Sequence, residues 1–228
     1  MNCLYLIQTS DELPHALACL KSRNKIILSW KTQTEDTNIF FPNSTWTTGR
    51  NKLREYVINN NLTDYDWYIF LDWDITFTNS EITEYSARQN NGFRVYENTL
   101  NTITNNKLDF QICLPWLADY HPQTPPKDKN EELTRIEFWF DAIFNGFSNE
   151  IFFGDKIFPY DPTYDSDSWW TSQYILLLYC KWQNIKVARI NNLKIKNPVH
   201  SNYPRKWNFD DVRTEIQEKF EKRFFKIN

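Results

Sequence analysis

Residues 67–74 constrain the fold of this 228-residue chain more than any other segment. The segment begins with an uninterrupted apolar run, which is typical of a β-strand buried on both faces. Two carboxyl groups, Asp72 and Asp74, follow at once and are separated by one residue. Because residues i and i+2 of an extended chain point to the same side, Asp72 and Asp74 can converge while Trp73 faces the other way.

The position of these two carboxyl groups indicates a ligand site. Carboxylate oxygens are hard ligands that suit Mg²⁺ or Mn²⁺, and such ions keep positions open for substrate phosphates. In open α/β sheets, ligands bind beyond the carboxyl ends of the strands, where Asp72 and Asp74 lie. The alternative is a solvated strand end with chance acidic residues, but apolar residues resume at Ile75 and Phe77.

Composition excludes several classes of protein. A net charge of −3 and a pI near 5.7 argue against a general binder of nucleic acid or of membrane surfaces, because both rely on a basic field. The longest apolar run, residues 174–180, is too short to cross a bilayer, and the N-terminus lacks the order of a signal peptide. We therefore expect a cytoplasmic protein with no transmembrane segment and with reduced cysteines.

Aromatic residues make up 17% of the chain and include 10 Trp. Most are expected in the core, but aromatic rings also stack on the apolar faces of sugars and on bases, so the excess favours a carbohydrate or nucleotide ligand. Glycine is rare, and each of the four is expected where a side chain would not fit: Gly49, Gly92, Gly146 and Gly154.

Alternating strand and helix patterns predict an α/β fold with a mainly parallel sheet covered by helices. In the first half, strands are expected at 4–8, 25–30, 38–41 and 67–74, and helices at about 11–21 and 47–60. In the second half, strands are expected at 109–114, 135–144 and 185–190, a loop at 119–132, and a helix from Ser166 or Ser168 to Trp182.

Apolar residues near the C-terminus recur at helical spacing and predict an amphipathic helix: Phe209, Val212, Ile216, Phe220 and Phe224. This helix either packs on the sheet or meets a partner or membrane surface.

Short motifs along the chain resemble the GT-A class of nucleotide-sugar-dependent glycosyltransferases. They are Thr48-Gly49-Arg50-Asn51, Asp72-Trp73-Asp74, Phe144-Asn145-Gly146-Phe147, Asp165-Ser166-Asp167 and His200. The chain is also similar to the small glycosyltransferase domains of large DNA viruses. The resemblance implies one domain over 1–228, with a three-layer α/β/α fold and a mixed, mainly parallel central sheet. Its donor-binding half spans about 1–78 and its acceptor half about 79–228.

The resemblance also implies roles for residues of the donor half. Asp74 is implied to bind the metal, and Asp72 to contact the ribose or a metal-bound water. The whole Asp72-Trp73-Asp74 segment is therefore expected to bind the donor. Arg50 adds a cation at the diphosphate or the sugar, although an arginine on a helix is more often solvated. Asn51 is expected at a sugar hydroxyl of the donor, and Thr9 and Ser10 are expected around its base.

His200 is the candidate that completes the metal site. It follows the strand-like residues 193–196, and the resemblance implies a late histidine of this kind among the ligands. Because an imidazole joined to carboxylate and phosphate oxygens suits Mn²⁺ better than Ca²⁺, the expected cofactor is Mn²⁺ or Mg²⁺. The alternative is a structural or exposed histidine.

Asp165 and Asp167 are the candidate catalytic carboxyl groups. They precede a predicted helix, where acidic residues also serve as caps. As a base, one of them deprotonates the acceptor hydroxyl, and Asp167 is preferred. The acceptor pocket is expected to contain Trp169, Trp170, Asn145 and Gly146.

The sequence thus predicts a metal-dependent glycosyltransferase that moves a sugar from a UDP-sugar to a hydroxyl of a glycan or glycoconjugate, with inversion favoured over retention. One alternative is a sugar-phosphate nucleotidyltransferase, against which the lack of a glycine-rich loop after the first strand weighs. Another is a non-catalytic carbohydrate-binding module that uses the aromatic surface.

Overall fold

The computed structural model describes residues 1–10, 15–78, 82–117, 131–137, 140–197 and 209–225. The strands in these ranges are β1 (Cys3–Thr9), β2 (Lys25–Ser29), β3 (Ile39–Phe40), β4 (Trp67–Asp72), β5 (Thr76–Phe77), β6 (Ile112–Leu117), β7 (Leu133–Ile136), β8 (Phe144–Ser148) and β9 (Val187–Lys196). The helices are a 3-10 helix (His15–Ser22), α1 (Trp46–Asn59), α2 (Tyr85–Asn105), α3 (Asn149–Phe153), α4 (Trp169–Trp182) and α5 (Phe209–Phe225).

All of these strands belong to one mixed sheet. Its order is β3-β2-β1-β4-β8-β6-β9-β5, and β7 pairs with β9 beside this path. One direction is shared by β1, β2, β3, β4, β6 and β9, whereas β5, β7 and β8 run the other way. The predicted mixed, mainly parallel sheet is therefore confirmed.

Helices cover both faces of the sheet, which confirms the predicted three-layer α/β/α arrangement. Alternation along the strands separates two cores: in β4, Tyr68 and Phe70 face one layer, and Ile69 and Leu71 face the other. The first layer holds α1, α3, α4 and α5. The second holds the 3-10 helix and α2.

Several predicted elements are confirmed within two or three residues at their ends. β4 ends at Asp72, α4 begins after an N-cap at Ser168, and α5 packs on α4 through rings that include Phe220 and Tyr179. The N-cap of α1 is Thr45, two residues earlier than predicted, because the Thr45 hydroxyl accepts from the Thr48 N–H and completes a capping box. The predicted loop at 119–132 falls mostly outside the described residues.

Other predictions were wrong or missing. The single strand predicted at 135–144 is instead the end of β7 and the start of β8, which pair with different strands. The strand predicted at 185–190 extends to Lys196 as β9. Neither α2 nor α3 was predicted. No helix in the described ranges has the length and apolarity needed to cross a lipid bilayer.

Gly146 illustrates how tightly β8 packs on α2. A Cβ at Gly146 would lie closer to the Tyr96 hydroxyl than real Cβ atoms come to any atom. That hydroxyl donates to the Cys113 carbonyl oxygen at 2.7 Å and is fully enclosed in the core. Gly146 is therefore needed because the tyrosine occupies the space of a side chain.

We expect Gly146→Ala to lower the free energy of unfolding by about 1–3 kcal/mol, since an added methyl in a packed core forces neighbours to shift. In a Tyr96→Phe background the same change should cost less, because the obstructing oxygen is gone. Urea unfolding of the four proteins in this double-mutant cycle measures the difference. Equal costs of Gly146→Ala in both backgrounds would contradict the steric explanation.

Candidate functional site

A cleft opens at the carboxyl end of β4. Its described lining combines three tryptophans with two carboxyl groups, two amides and one aliphatic side chain: Trp46, Trp169, Trp170, Asp72, Asp141, Gln173, Asn197 and Ile143. These residues come from α1, α4, the end of β4, and the segments beside β8 and β9. The cleft therefore lies where ligands bind in open α/β sheets.

Arg50 forms the closest ion pair of this region. Its side chain is only 1% exposed, and Nη2 donates to Oδ1 of Asp72 at 2.6 Å. The guanidinium carbon lies 4.5 Å from the ring centre of Trp46 and 5.2 Å from that of Phe70. Arg50 is thus not the solvated helix residue that was the alternative at the sequence level. Its positive charge is paired with the carboxyl group of Asp72.

Two carboxyl groups of this cleft have pKa values that are raised towards neutral pH. Burial raises the pKa of Asp72 to about 7; Arg50 opposes the rise, and the nearby charges of Asp74 and Asp141 add to it. Burial likewise raises the pKa of Asp141 to about 6, against the hydrogen bond from the Ile143 N–H. Desolvation therefore outweighs the attraction of the buried guanidinium at both groups.

Asp141 was not predicted as a site residue. It precedes β8, which runs antiparallel to β4, so the start of β8 and the end of β4 lie at the same edge of the sheet. The Asp72 N–H donates to the Ile143 carbonyl oxygen at 2.8 Å, which brings Asp141 close to Asp72. An aspartate directly before an apolar run was the available signal, but the pairing of the two strands was not evident from the sequence.

Asn197 was also missed. It directly follows β9 and lines the cleft, and its Oδ1 is enclosed with no hydrogen-bond partner among the described residues. An enclosed amide oxygen without a partner carries a desolvation cost that a bound hydroxyl or cation would relieve. Its position therefore fits a ligand at this edge.

The two candidate tryptophans of the acceptor pocket lie in the same cleft as Asp72. Trp169 and Trp170 form the first turn of α4, half-buried, and line the cleft with Asp72. Trp46 of α1 lines the same cleft and stacks on Tyr160 with ring centres 5.5 Å apart. The cleft thus presents indole rings on two helices.

Asp74 and Trp73 form the turn that follows β4, and both are half-buried. The negative charge of Asp74 helps to raise the pKa of Asp72. Thr9 and Ser10 end the neighbouring strand β1, where Gln8 is in register with Asp72. The predicted base-binding residues thus lie one strand away from the metal candidates.

Asp165 and Asp167 differ sharply in their surroundings. Asp165 is 6% exposed and accepts hydrogen bonds from the hydroxyls of Thr45, Thr47 and Ser172. Asp167 is exposed, and it is not among the cleft-lining residues of the described chain.

Three other candidates are engaged within the fold. Both amide atoms of Asn51 bond to the backbone of Tyr160, each at 2.8 Å. Asn145 and Gly146 were expected to line the acceptor pocket, but the structure encloses both within β8. The physical reason is that β8 is an inner strand with helices on both faces. His200 lies outside the described residues.

The chemistry of this edge fits a divalent cation. Carboxyl and amide oxygens are supplied by Asp72, Asp74, Asp141 and Asn197, and hard ions prefer such ligands. Among the residues that the structure describes, no group of three or more His, Cys, Asp and Glu side chains could hold an ion. Phosphate oxygens, water or residues outside the described ranges would therefore have to complete the coordination.

Comparison with known proteins gives the fold alone. No protein-family model and no curated protein sequence matches the chain. Among solved structures, S. aureus TarS 1-349 is similar with a TM-score of 0.52 and 9% sequence identity, over 96% of this chain and 64% of that one. A197 from STIV is similar with a TM-score of 0.49 and 13% identity, over 88% and 87% of the two chains.

The chain thus spans less than two thirds of the TarS chain that it matches. Together with the three-layer arrangement and the mixed sheet, the likeness to TarS confirms the predicted GT-A-like fold.

The raised pKa values predict how the stability of the metal-free protein depends on pH. Because Asp72 and Asp141 take up protons in the folded state at a higher pH than in the unfolded state, the free energy of unfolding should rise as pH falls from 8 towards 5. Asp141→Asn and Asp72→Asn should each flatten this slope. Urea unfolding with a chelator, at pH 5, 6, 7 and 8, measures it.

The exposed Asp36 provides the matched control, and Asp36→Asn should keep the slope of the unaltered protein. If the Asp72 and Asp141 variants kept that slope as well, their carboxyl groups would not be the ones that titrate between these values.

Proposed function

We propose that this protein is a glycosyltransferase that moves a sugar from a nucleoside diphosphate, with UDP as the expected nucleotide, to a hydroxyl of a glycan or glycoconjugate. The observation that carries the proposal is the position of Asp72 at the carboxyl end of β4, in a cleft lined by tryptophans, with Asp74 in the turn that follows. The GT-A-like fold supports it.

The charge of the cleft supports a metal requirement. Its described lining contains carboxyl groups and no lysine or arginine, and the buried Arg50 is paired with Asp72. A diphosphate placed here would meet negative charge. A divalent cation reverses that repulsion and neutralises the charge that develops on the leaving diphosphate. Asp74 and His200 are the proposed ligands, with Asp72 at the ribose or a metal-bound water, and Mn²⁺ or Mg²⁺ is the proposed ion.

The tryptophans support a sugar ligand. Indole rings stack on the apolar faces of pyranose rings, and the amides and carboxyl groups between them suit sugar hydroxyls. Trp169 and Trp170 are proposed to hold the acceptor, and Thr9 and Ser10 the base of the donor. Arg50 is proposed to orient Asp72 through the ion pair between the two side chains.

Transfer with inversion requires one proton acceptor. The acceptor oxygen forms a bond to the anomeric carbon, the bond to the diphosphate breaks with its electron pair, and the hydroxyl proton passes to a carboxylate. We assign this base to Asp167. Asp165, predicted as its companion, is enclosed by three hydroxyl donors and is assigned a different role below.

Metal-dependent nucleotide binding tests the metal site directly. Asp74→Asn keeps the side-chain size and removes the charge, so its affinity for UDP in Mn²⁺ should fall at least tenfold, about 1.4 kcal/mol. His200→Ala should also weaken binding and leave the melting temperature of the metal-free protein unchanged. Isothermal titration with UDP in Mn²⁺ and in chelator measures both.

Asp36→Asn is the matched control, because it removes a carboxylate from an exposed loop. Equal UDP affinity with Mn²⁺, with chelator and in Asp74→Asn would rule out the metal site. Glycan binding that ignores both nucleotide and metal would favour a carbohydrate-binding module instead.

The identity of the base can be separated from donor binding. Asp167→Asn should keep UDP-sugar affinity while transfer falls by about 10²-fold or more, the usual contribution of a positioned base. A panel of sugar nucleotides, scored by donor hydrolysis and by transfer, provides the assay. Near-normal transfer in Asp167→Asn combined with a large loss in Asp141→Asn would move the role to the carboxyl group that lines the cleft.

A further inference from the structure

Asp165 is a carboxyl group beside the cleft that accepts three side-chain hydrogen bonds. Oδ1 accepts from the Thr47 hydroxyl at 2.6 Å and from the Ser172 hydroxyl at 2.5 Å, and Oδ2 accepts from the Thr45 hydroxyl. Asp165 is 6% exposed, and Thr47 and Ser172 are buried as well. The three donors lie on two helices that are distant in sequence.

Those donors flank the tryptophans of the cleft. Thr45 and Thr47 stand on either side of Trp46 at the start of α1, and Ser172 follows Trp170 by two residues in α4. The carboxyl group therefore joins the two helix ends that carry the tryptophans of the cleft. Next to Ser172, Gln173 donates to the Phe140 carbonyl oxygen at 3.0 Å and ties α4 to the segment that carries Asp141.

Electrostatics favour a linking role. The N-terminal ends of α1 and α4 both carry partial positive charge, and a carboxyl group between them is attracted to both. Hydrogen bonds to a charged acceptor are also stronger and shorter than those between neutral groups. A base, in contrast, needs to reach the acceptor hydroxyl, whereas both oxygens of Asp165 are already engaged inside the protein.

We propose that Asp165 is a positioning residue that sets the separation of Trp46 from Trp169 and Trp170, and thereby the width of the cleft for a sugar ring. The inference that the cleft accepts a sugar ring depends on the function proposed above. The link between the two helices depends on the hydrogen bonds of Asp165 alone. Loss of any one hydroxyl donor should therefore disturb the same tryptophans as loss of the carboxyl group.

The test compares Thr47→Val and Ser172→Ala with Asp165→Ala and Asp165→Asn. Thr47→Val is nearly isosteric and removes one donor, and Asp165→Asn keeps an acceptor of the same shape. Thr99→Val is the matched control, because its hydroxyl donates within α2 on the opposite face of the sheet. The readout is the set of indole ¹⁵N–¹H signals, with Trp46, Trp169 and Trp170 assigned by single replacement with Phe.

We expect the signals of Trp46 and of Trp169 or Trp170 to shift or broaden in Thr47→Val, Ser172→Ala and Asp165→Ala. They should shift less in Asp165→Asn and stay in place in Thr99→Val. Unchanged cleft signals in Thr47→Val and Ser172→Ala would overturn the proposal, even if both variants melt at lower temperature, because loss of stability alone is a structural effect.

UDP titration in Mn²⁺ separates this proposal from the proposed function. Thr47→Val and Ser172→Ala should keep UDP affinity within about threefold, less than the tenfold step of 1.4 kcal/mol expected at the metal site. If the unaltered protein bound no UDP, the proposed function would fail, and the indole signals would still decide the role of Asp165. A 10²-fold loss of transfer in Asp165→Asn with undisturbed indole signals would make Asp165 a base instead.

Discussion

The contact between Arg50 and Asp72 is the interaction on which the cleft depends. A guanidinium that is 1% exposed has lost nearly all of its hydration, and among the described residues it bonds to the Asp72 carboxyl group and lies over two aromatic rings. Removal of either partner would leave a buried charge without compensation. The pair therefore fixes α1 against the end of β4 and holds Trp46, one turn earlier in the same helix, at the rim.

The same pair explains why the cleft is acidic. One positive charge is enclosed with Asp72, while Asp74 and Asp141 add negative charge at the same edge. Desolvation raises the pKa of these two carboxyl groups, Asp72 and Asp141, towards neutral pH. Indole rings from α1 and α4 close the space around these groups. These carboxyl groups and indole rings are the basis of the proposed site for a metal-bound nucleotide sugar.

Strong local patterns made much of the fold predictable. The apolar run before Asp72 forms an inner strand, and the serine before Trp169 caps its helix. Helix α2 was missed because its asparagines, threonines and Gly92 are weak helix formers, although its buried residues recur at helical spacing. β7 and β8 were merged because an aromatic-rich stretch carries no mark of which partner each part will pair with.

The sequence by itself determined the α/β class, the strand that ends at Asp72, and the tryptophans that follow Ser168, because each depends on spacing within one segment. Only the tertiary structure decided that Asp141 and Asn197 join this edge, since they follow from the pairing of β4 with β8 and from the position of β9. It also enclosed Asp165 among three hydroxyls. A carboxyl group that precedes a helix gives the same sequence pattern whether it faces substrate or links two helices. The two roles differ in the hydrogen-bond donors around the carboxyl group, and here Thr45 and Thr47 come from more than a hundred residues away.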